Sequence, residues 1–225
     1  MDDVEQRVAD ALADIFGDRL EFLAAHGSVL VGDAFAGFSD LDLVAMVPGG
    51  LDLEAAMKCA AGLEVDLGAA SYLQVDWIDA DAPTPSLVPG SFRVLIGAEP
   101  PPLGTVHTPF TLRLSGAAWL EQLPEFIRRD TGYWAIALGR RPQQLRVLVT
   151  RVKPTVRAWL TTLGEDPVTT YAAPWGRLAN AVRRHDPGIA GLVLELVDGL
   201  RTEPRDQLAL GSTALHVLTR IAAHV

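Results

Sequence analysis

His26-Gly27-Ser28, eleven further residues, then Asp40-Leu41-Asp42-Leu43-Val44-Ala45-Met46-Val47: this stretch decides the reading of the chain. The second part is an apolar run ended by Pro48-Gly49-Gly50, the pattern of a buried strand closed by a turn. Side chains two apart on a strand point to the same side, so Asp40 and Asp42 project together and can ligate the same divalent cations. Upstream, residues 20–25 read as a strand and His26-Gly27-Ser28 as its exit. A glycine there lets backbone N–H groups approach a phosphate, and a serine hydroxyl adds a donor. Working outward, Val4, Val8, Leu12 and Ile15 recur at helical spacing ahead of Gly17, which predicts a short amphipathic first helix. Residues 51–63 read as a helix. In Ser71-Tyr72-Leu73-Gln74-Val75-Asp76-Trp77-Ile78 the alternation predicts a third strand, with Leu73, Val75 and Trp77 on one face and Gln74, Asp76 and Ile78 on the other. Asp76 thereby becomes a third carboxylate, and three acids suit a pair of Mg²⁺ ions.

The rest of the 225 residues bounds what such a site can serve. With 19 Lys and Arg against 28 Asp and Glu, the net charge of −9 disfavours nonspecific nucleic-acid binding and a templated polymerase. A 49% hydrophobic and 21% charged composition is that of a globular chain with a real core. The single Cys59 leaves no internal disulfide framework, and no Cys/His spacing resembles a structural zinc site. The acidic start is unlike a signal peptide, and no apolar window is long enough to span a bilayer, so a cytoplasmic protein without membrane contact is expected. Charge is unevenly spread. Residues 1–81 hold seventeen acids and three bases, whereas residues 128–157 hold eight bases, Lys153 and Arg157 among them, and one acid. An acidic site for a hard cation and a basic surface for polyphosphate would explain the split, as would attraction between two domains.

Residues 79–111 are rich in Pro and Gly, including Pro100-Pro101-Pro102, and mark a junction between a first domain, 1–111, and a second, 112–225. Beyond the junction, helical spacing predicts helices over 124–138, 143–163, 175–184, 189–200 and 204–224, a bundle. Pro154 inside the second of these is a candidate break. If that segment is one helix, Arg146, Lys153 and Arg157 share a stripe at offsets of seven and four.

Gly27-Ser28 followed at this distance by Asp40-x-Asp42 resembles the signature of the nucleotidyltransferase superfamily that includes DNA polymerase beta. The segment Val75-Asp76-Trp77-Ile78-Asp79 with Ala82-Pro83 is similar to the third-carboxylate strand of its small bacterial members. Arg157-Ala158-Trp159, Gly164-Glu165 and Ala172-Ala173-Pro174-Trp175 resemble the carboxy-terminal domain of streptomycin and spectinomycin adenylyltransferases, departing at Thr169, where that family carries a lysine. The resemblance implies an α+β fold, with a small mixed sheet flanked by helices followed by an all-helical domain that closes the acceptor site. It implies two Mg²⁺ ions on Asp40, Asp42 and Asp76, and ATP as co-substrate. Gly27, Ser28, Lys153 and Arg157 would meet the nucleoside triphosphate. AMP would pass to a hydroxyl of a small acceptor, for instance an aminoglycoside in antibiotic resistance, with release of pyrophosphate. The alternatives are an antitoxin-type enzyme that attaches AMP to a protein, and a nucleotide-binding module that has lost transfer.

Other residues take structural readings. Asp33 and Ser39 suit turn chemistry in the loop. His26 at a strand end is expected to be hydrogen-bonded. Cys59 reads as a small core residue, and Trp119, Trp134, Trp159 and Trp175 as helix-borne core anchors. For a base toward the acceptor, Asp76 is the best-placed acid, with Glu121, Glu125 and Glu165 as candidates from the helical side.

Overall fold

The computed structural model describes residues 2–35, 38–49, 72–137, 142–202 and 205–225. The helix expected over 51–63, with Lys58 and Cys59, and the acid Asp66 lie outside the described residues. The chain divides into two compact units, Met1–Thr108 and Pro109–Val225.

In the first unit, helix α1 (Asp2–Phe16) and a single tight turn (Gly17–Arg19) precede strand β1 (Phe22–His26). Strands β2 (Asp40–Val47), β3 (Tyr72–Asp79) and β4 (Phe92–Ile96) complete a mixed four-stranded sheet of order β3-β2-β1-β4. β1 runs antiparallel to both β2 and β4, while β2 and β3 are parallel. The segment 92–96, embedded in what read as the Pro- and Gly-rich junction, is therefore the edge strand β4.

The alternation seen in the sequence separates two cores. Val8, Leu12 and Phe16 of α1 pack on Leu23, Ala25, Leu41, Leu43, Ala45 and Val47, with Leu73, Val75 and Trp77 at the margin. The Phe16 and Trp77 rings lie 4.9 Å apart. The opposite face carries Phe22, Ala24, Val44, Met46, Ile78 and Leu87. Because β2 is buried on both faces from Leu43 onward, its sequence is a continuous apolar run, and only Asp40 and Asp42 at its head are half-exposed among the alternating positions.

The second unit is helical: α2 (Pro109–Ala137), α3 (Pro142–Thr162), α4 (Pro167–Ala172), α5 (Trp175–His185), α6 (Pro187–Arg201) and α7 (Gln207–Ala222). One expectation is corrected. α2 begins fifteen residues before Pro124 and runs through it. Its buried stripe, Leu112, Gly116, Leu120 and Leu123, lies away from the exposed Pro124. Gly116 is a close contact: a Cβ there would lie 3.1 Å from the Tyr171 hydroxyl and 3.4 Å from Ala158 Cα, so α2 and α3 approach closely at this point. α3 is continuous through Pro154, with Leu145, Leu148, Val149, Val152, Val156, Trp159 and Leu160 buried along it. The buried stripe stabilises more than the one lost hydrogen bond costs.

Among the described residues, three helices start on aspartate caps. Asp166 Oδ2 accepts from Thr169 N at 2.8 Å, Asp186 Oδ1 from Gly188 N and Ile189 N at 2.7 and 2.9 Å, and Asp206 Oδ1 from Leu208 N and Ala209 N at 3.0 Å each. Pro167 and Pro187 occupy the first helical turn, where a missing N–H is harmless. α4 was not expected from the sequence, and α6 starts two residues before Ile189 because of the Asp186-Pro187 signal.

Candidate functional site

The sheet register places the acids of the first unit. His26 of β1 pairs with Asp42 of β2, which pairs with Gln74 of β3, and Asp76 lies one step along, beside Val44. Laterally paired residues share a face, so His26, Asp40, Asp42, Gln74 and Asp76 all project from the side opposite α1. Three of these are the carboxylates the sequence singled out. Among the described residues, no group of three or more His, Cys, Asp or Glu side chains is drawn together closely enough to hold a metal ion. The register supplies a reason: Gln74, not Asp76, is the direct neighbour of Asp42, and diagonal neighbours on a sheet are on the order of 7–8 Å apart.

Gly27 is fixed by what it touches. Its φ is +85°, and a Cβ built on it would fall 2.2 Å from Asp42 Oδ2. The backbone at the β1 exit therefore lies directly against the Asp42 carboxylate, an approach open only to glycine. Beyond it, Ser28 O accepts from Asp33 N at 3.0 Å. Ser39 closes the same loop, its Oγ accepting from Phe35 N at 2.8 Å and its N donating to Phe35 O at 2.9 Å. This bracing delivers the chain to Asp40, in keeping with the structural reading of Asp33 and Ser39.

His26 departs from expectation. Its Nε2 is buried and has no hydrogen-bond partner. Burial pushes the imidazole below its usual range, with the charge of Asp76 pulling the other way, so His26 is neutral at pH 7. Gln74 Nε2 donates to Asp76 Oδ1 at 3.5 Å, the outer limit of a hydrogen bond.

Lys153 and Arg157 lie in the second unit, one turn apart on α3, and the continuity of that helix gives Arg146, Lys153 and Arg157 the shared stripe. Lys153 is buried, with Nζ 5.5 Å from the centre of the Trp175 ring. Arg157 lies 6.0 Å from the Tyr171 ring and donates from Nη2 to Ala173 O at 3.5 Å. Two of the three motif fragments quoted above thus meet in space through the Arg157–Ala173 hydrogen bond, with a cation–aromatic contact on either side of it. Trp175 is both a core anchor and the face beneath Lys153. Tyr171 had not been singled out; burial pushes its phenol up, against the pull of Arg157. Of the acids offered from the helical side, Glu165 is held by Arg184 and His185 and Glu125 pairs with Arg128, while Glu121 is exposed.

No family model matches the chain, and no curated protein matches it in sequence. Among solved structures the chain is similar to the spectinomycin adenyltransferase AAD(9) from Enterococcus faecialis, crystallised with ATP and spectinomycin. Identity is 13%, the match covers 96% of this chain and 98% of that one, and the TM-score is 0.58. The likeness is one of fold, an amino-terminal sheet unit followed by a helical unit.

Proposed function

We propose that the chain is a nucleotidyltransferase that moves the AMP of ATP to a hydroxyl of a small acceptor. The observation that carries this reading is the contact of Gly27 with Asp42: a positive-φ glycine lets the backbone of the β1 exit lie directly against a carboxylate, so that phosphate-binding N–H groups and a cation-binding oxygen stand side by side. The donor chemistry fits, since Asp40, Asp42 and Asp76 offer only hard oxygens from one sheet face. Two Mg²⁺ ions held there would neutralise charge on the transferring group and lower the pKa of the acceptor hydroxyl.

The chain's own residues supply the rest. Backbone N–H groups at Gly27 and Ser28 and the Ser28 hydroxyl receive phosphate oxygens. Lys153 and Arg157, backed by Trp175 and Tyr171, bring positive charge that water does not fully screen. The acceptor oxygen bonds to the α-phosphorus as the bond to the bridging β-phosphate oxygen breaks, pyrophosphate leaves, and Asp76 takes the acceptor proton. Neutral His26 adds no opposing charge beside these acids.

Likeness to an enzyme crystallised with ATP and spectinomycin directs the choice of acceptor to hydroxylated antibiotics, aminoglycosides and spectinomycin first. Pyrophosphate release from ATP and Mg²⁺ against such a panel, with mass spectrometry of the acceptor, tests this. An acceptor heavier by AMP is expected; ATP binding without transfer to any member contradicts a small-molecule transferase.

A further inference from the structure

Trp119, read from the sequence as a core anchor, is only half-buried. It lines a cleft of about 230 Å³ between α2 and α3, with Gln122, Leu123, Phe126 and Arg129 of its own helix and Arg151 of the other. Positions 119, 122, 123 and 126 recur at helical spacing, which turns them to the cleft together. Arg151 is packed against two of them, its guanidinium carbon 4.9 Å from the centre of the Trp119 ring and 4.6 Å from that of Phe126. Both distances are within cation–aromatic range. The indole is braced from behind: Trp119 Nε1 donates to Thr155 Oγ1 at 2.8 Å, and that hydroxyl donates to Arg151 O at 2.8 Å. Thr155 is fully buried, so water does not compete for this relay.

A ring contact engages the charge of a guanidinium without offering an acceptor to its N–H groups. Among the described residues, none accepts a hydrogen bond from the Arg151 side chain and no carboxylate pairs with it. Arg129 brings a second positive charge to the lining. Glu125, the acid in the lining, is paired with Arg128, so the cleft as a whole is cationic. A half-buried planar cation with its donors unanswered by the protein, set among apolar side chains, matches a planar anion with an apolar body. A carboxylate takes two parallel N–H bonds from such a fork, and the body covers the apolar wall. The volume is below the roughly 300–1,000 Å³ of sites for drug-sized molecules, which limits the ligand to a small one.

We propose that this cleft binds a small aryl carboxylate: the carboxylate takes the N–H fork of Arg151, Arg129 adds charge, and the ring lies against Trp119, Leu123 and Phe126. The inference does not rest on the proposed transfer reaction. Arg151 is two residues from Lys153, and at about 100° per residue the two point to nearly opposite sides of α3. Lys153 faces Trp175, so the cleft is separate from the Lys153 and Arg157 stripe. A tetrahedral anion suits the cleft less well. After two oxygens of a phosphate meet the fork, the others would be turned toward Leu123 and Phe126, which have no donor to give them. A ligand seated here touches α2 and α3 at once and steadies their packing by mass action.

The test is a benzoate titration of the full chain, followed by NMR at the Trp119 indole N–H, a resonance assigned by its loss in Trp119→Phe. Benzamide serves as the neutral analogue of the same shape. Saturable benzoate binding with a dissociation constant on the order of 1 mM is expected for a ligand of so few atoms, with benzamide at least about tenfold weaker. Arg151→Met keeps an apolar stem and removes the fork, so it should weaken benzoate about tenfold or more, and Arg151→Lys, which restores charge alone, should recover only part of the loss. Arg201→Gln, on α6, should leave binding within about twofold, as an exposed charge outside the cleft. Thermal unfolding checks that each variant folds, and the comparison of benzoate with benzamide on the wild type needs no variant. Equal affinity for benzoate and benzamide, inorganic phosphate binding as tightly as benzoate, undiminished binding by a folded Arg151→Met, or a benzoate shift at the Trp175 indole in place of Trp119 would each overturn the proposal.

Discussion

Among the described glycines of the sheet unit, Gly27 has the nearest neighbour, the Asp42 carboxylate. Gly27→Ala places a methyl 2.2 Å from Asp42 Oδ2 at φ +85°, so the β1 exit or the carboxylate must shift. We expect nucleotidyl transfer to fall by roughly 100-fold or more, since preorganised charge is commonly worth that much, with a stability loss of about 1–2 kcal/mol from the left-handed backbone. Steady-state kinetics and urea unfolding check both. A second expectation concerns His26, which burial holds neutral: its folded-state titration lies below that of the unfolded chain. Its neutrality therefore adds stability above the free-histidine range that is lost as pH falls through the folded value, and an NMR titration midpoint at or above 6.5 would contradict this. That Asp40, Asp42 and Asp76 share a face was legible because strand alternation alone decides which side a residue faces. The state of His26 was not legible. Whether an imidazole finds a partner depends on packing across the sheet, which no local pattern encodes.

Element boundaries were readable where a short-range signal exists and misread where tertiary contact overrides it. β2 and β3 match their alternation, whereas the Asp186-Pro187 signal that starts α6 was passed over in favour of Ile189. α2 was cut short because Pro124 reads as a helix start, yet it sits on the exposed face of a helix that begins at Pro109, in which Gly116 makes a close contact with Ala158. Gly116→Val should accordingly push α2 from α3 and cost about 1–3 kcal/mol by overpacking, read as a lowered urea midpoint, whereas the same change at the open Gly176 of α5 should cost less than 1 kcal/mol. The continuity of α3 carries a functional expectation as well. Arg157→Ala removes a guanidinium seated on Tyr171 and the Ala173 carbonyl, and should raise the KM for ATP about tenfold or more while the protein stays folded.

For the whole molecule, the division into a sheet unit and a helical unit was visible in the change of hydrophobic period, and the likeness to AAD(9) extends that architecture over 96% of the chain. The acid-rich early residues and the basic stretch from 128 to 157 fall on opposite sides of the division at Thr108/Pro109. No helix among the described residues is long and apolar enough to cross a membrane. The acceptor is not legible, because acceptor choice rests on pocket shape, not on a motif. ATP with Mg²⁺ should raise the melting temperature, and chelation should abolish the rise. The central claim is adenylyl transfer dependent on the β2 carboxylates, and the most direct measurement follows label from ATP carrying it on the α-phosphate, with hydroxylated antibiotic acceptors, for the wild type and Asp42→Asn. The account predicts label in the acceptor with the wild type, none from ATP labelled on the γ-phosphate, and at least a roughly 100-fold loss in a folded Asp42→Asn. Label arriving from the γ-phosphate, or undiminished transfer by Asp42→Asn, would contradict it.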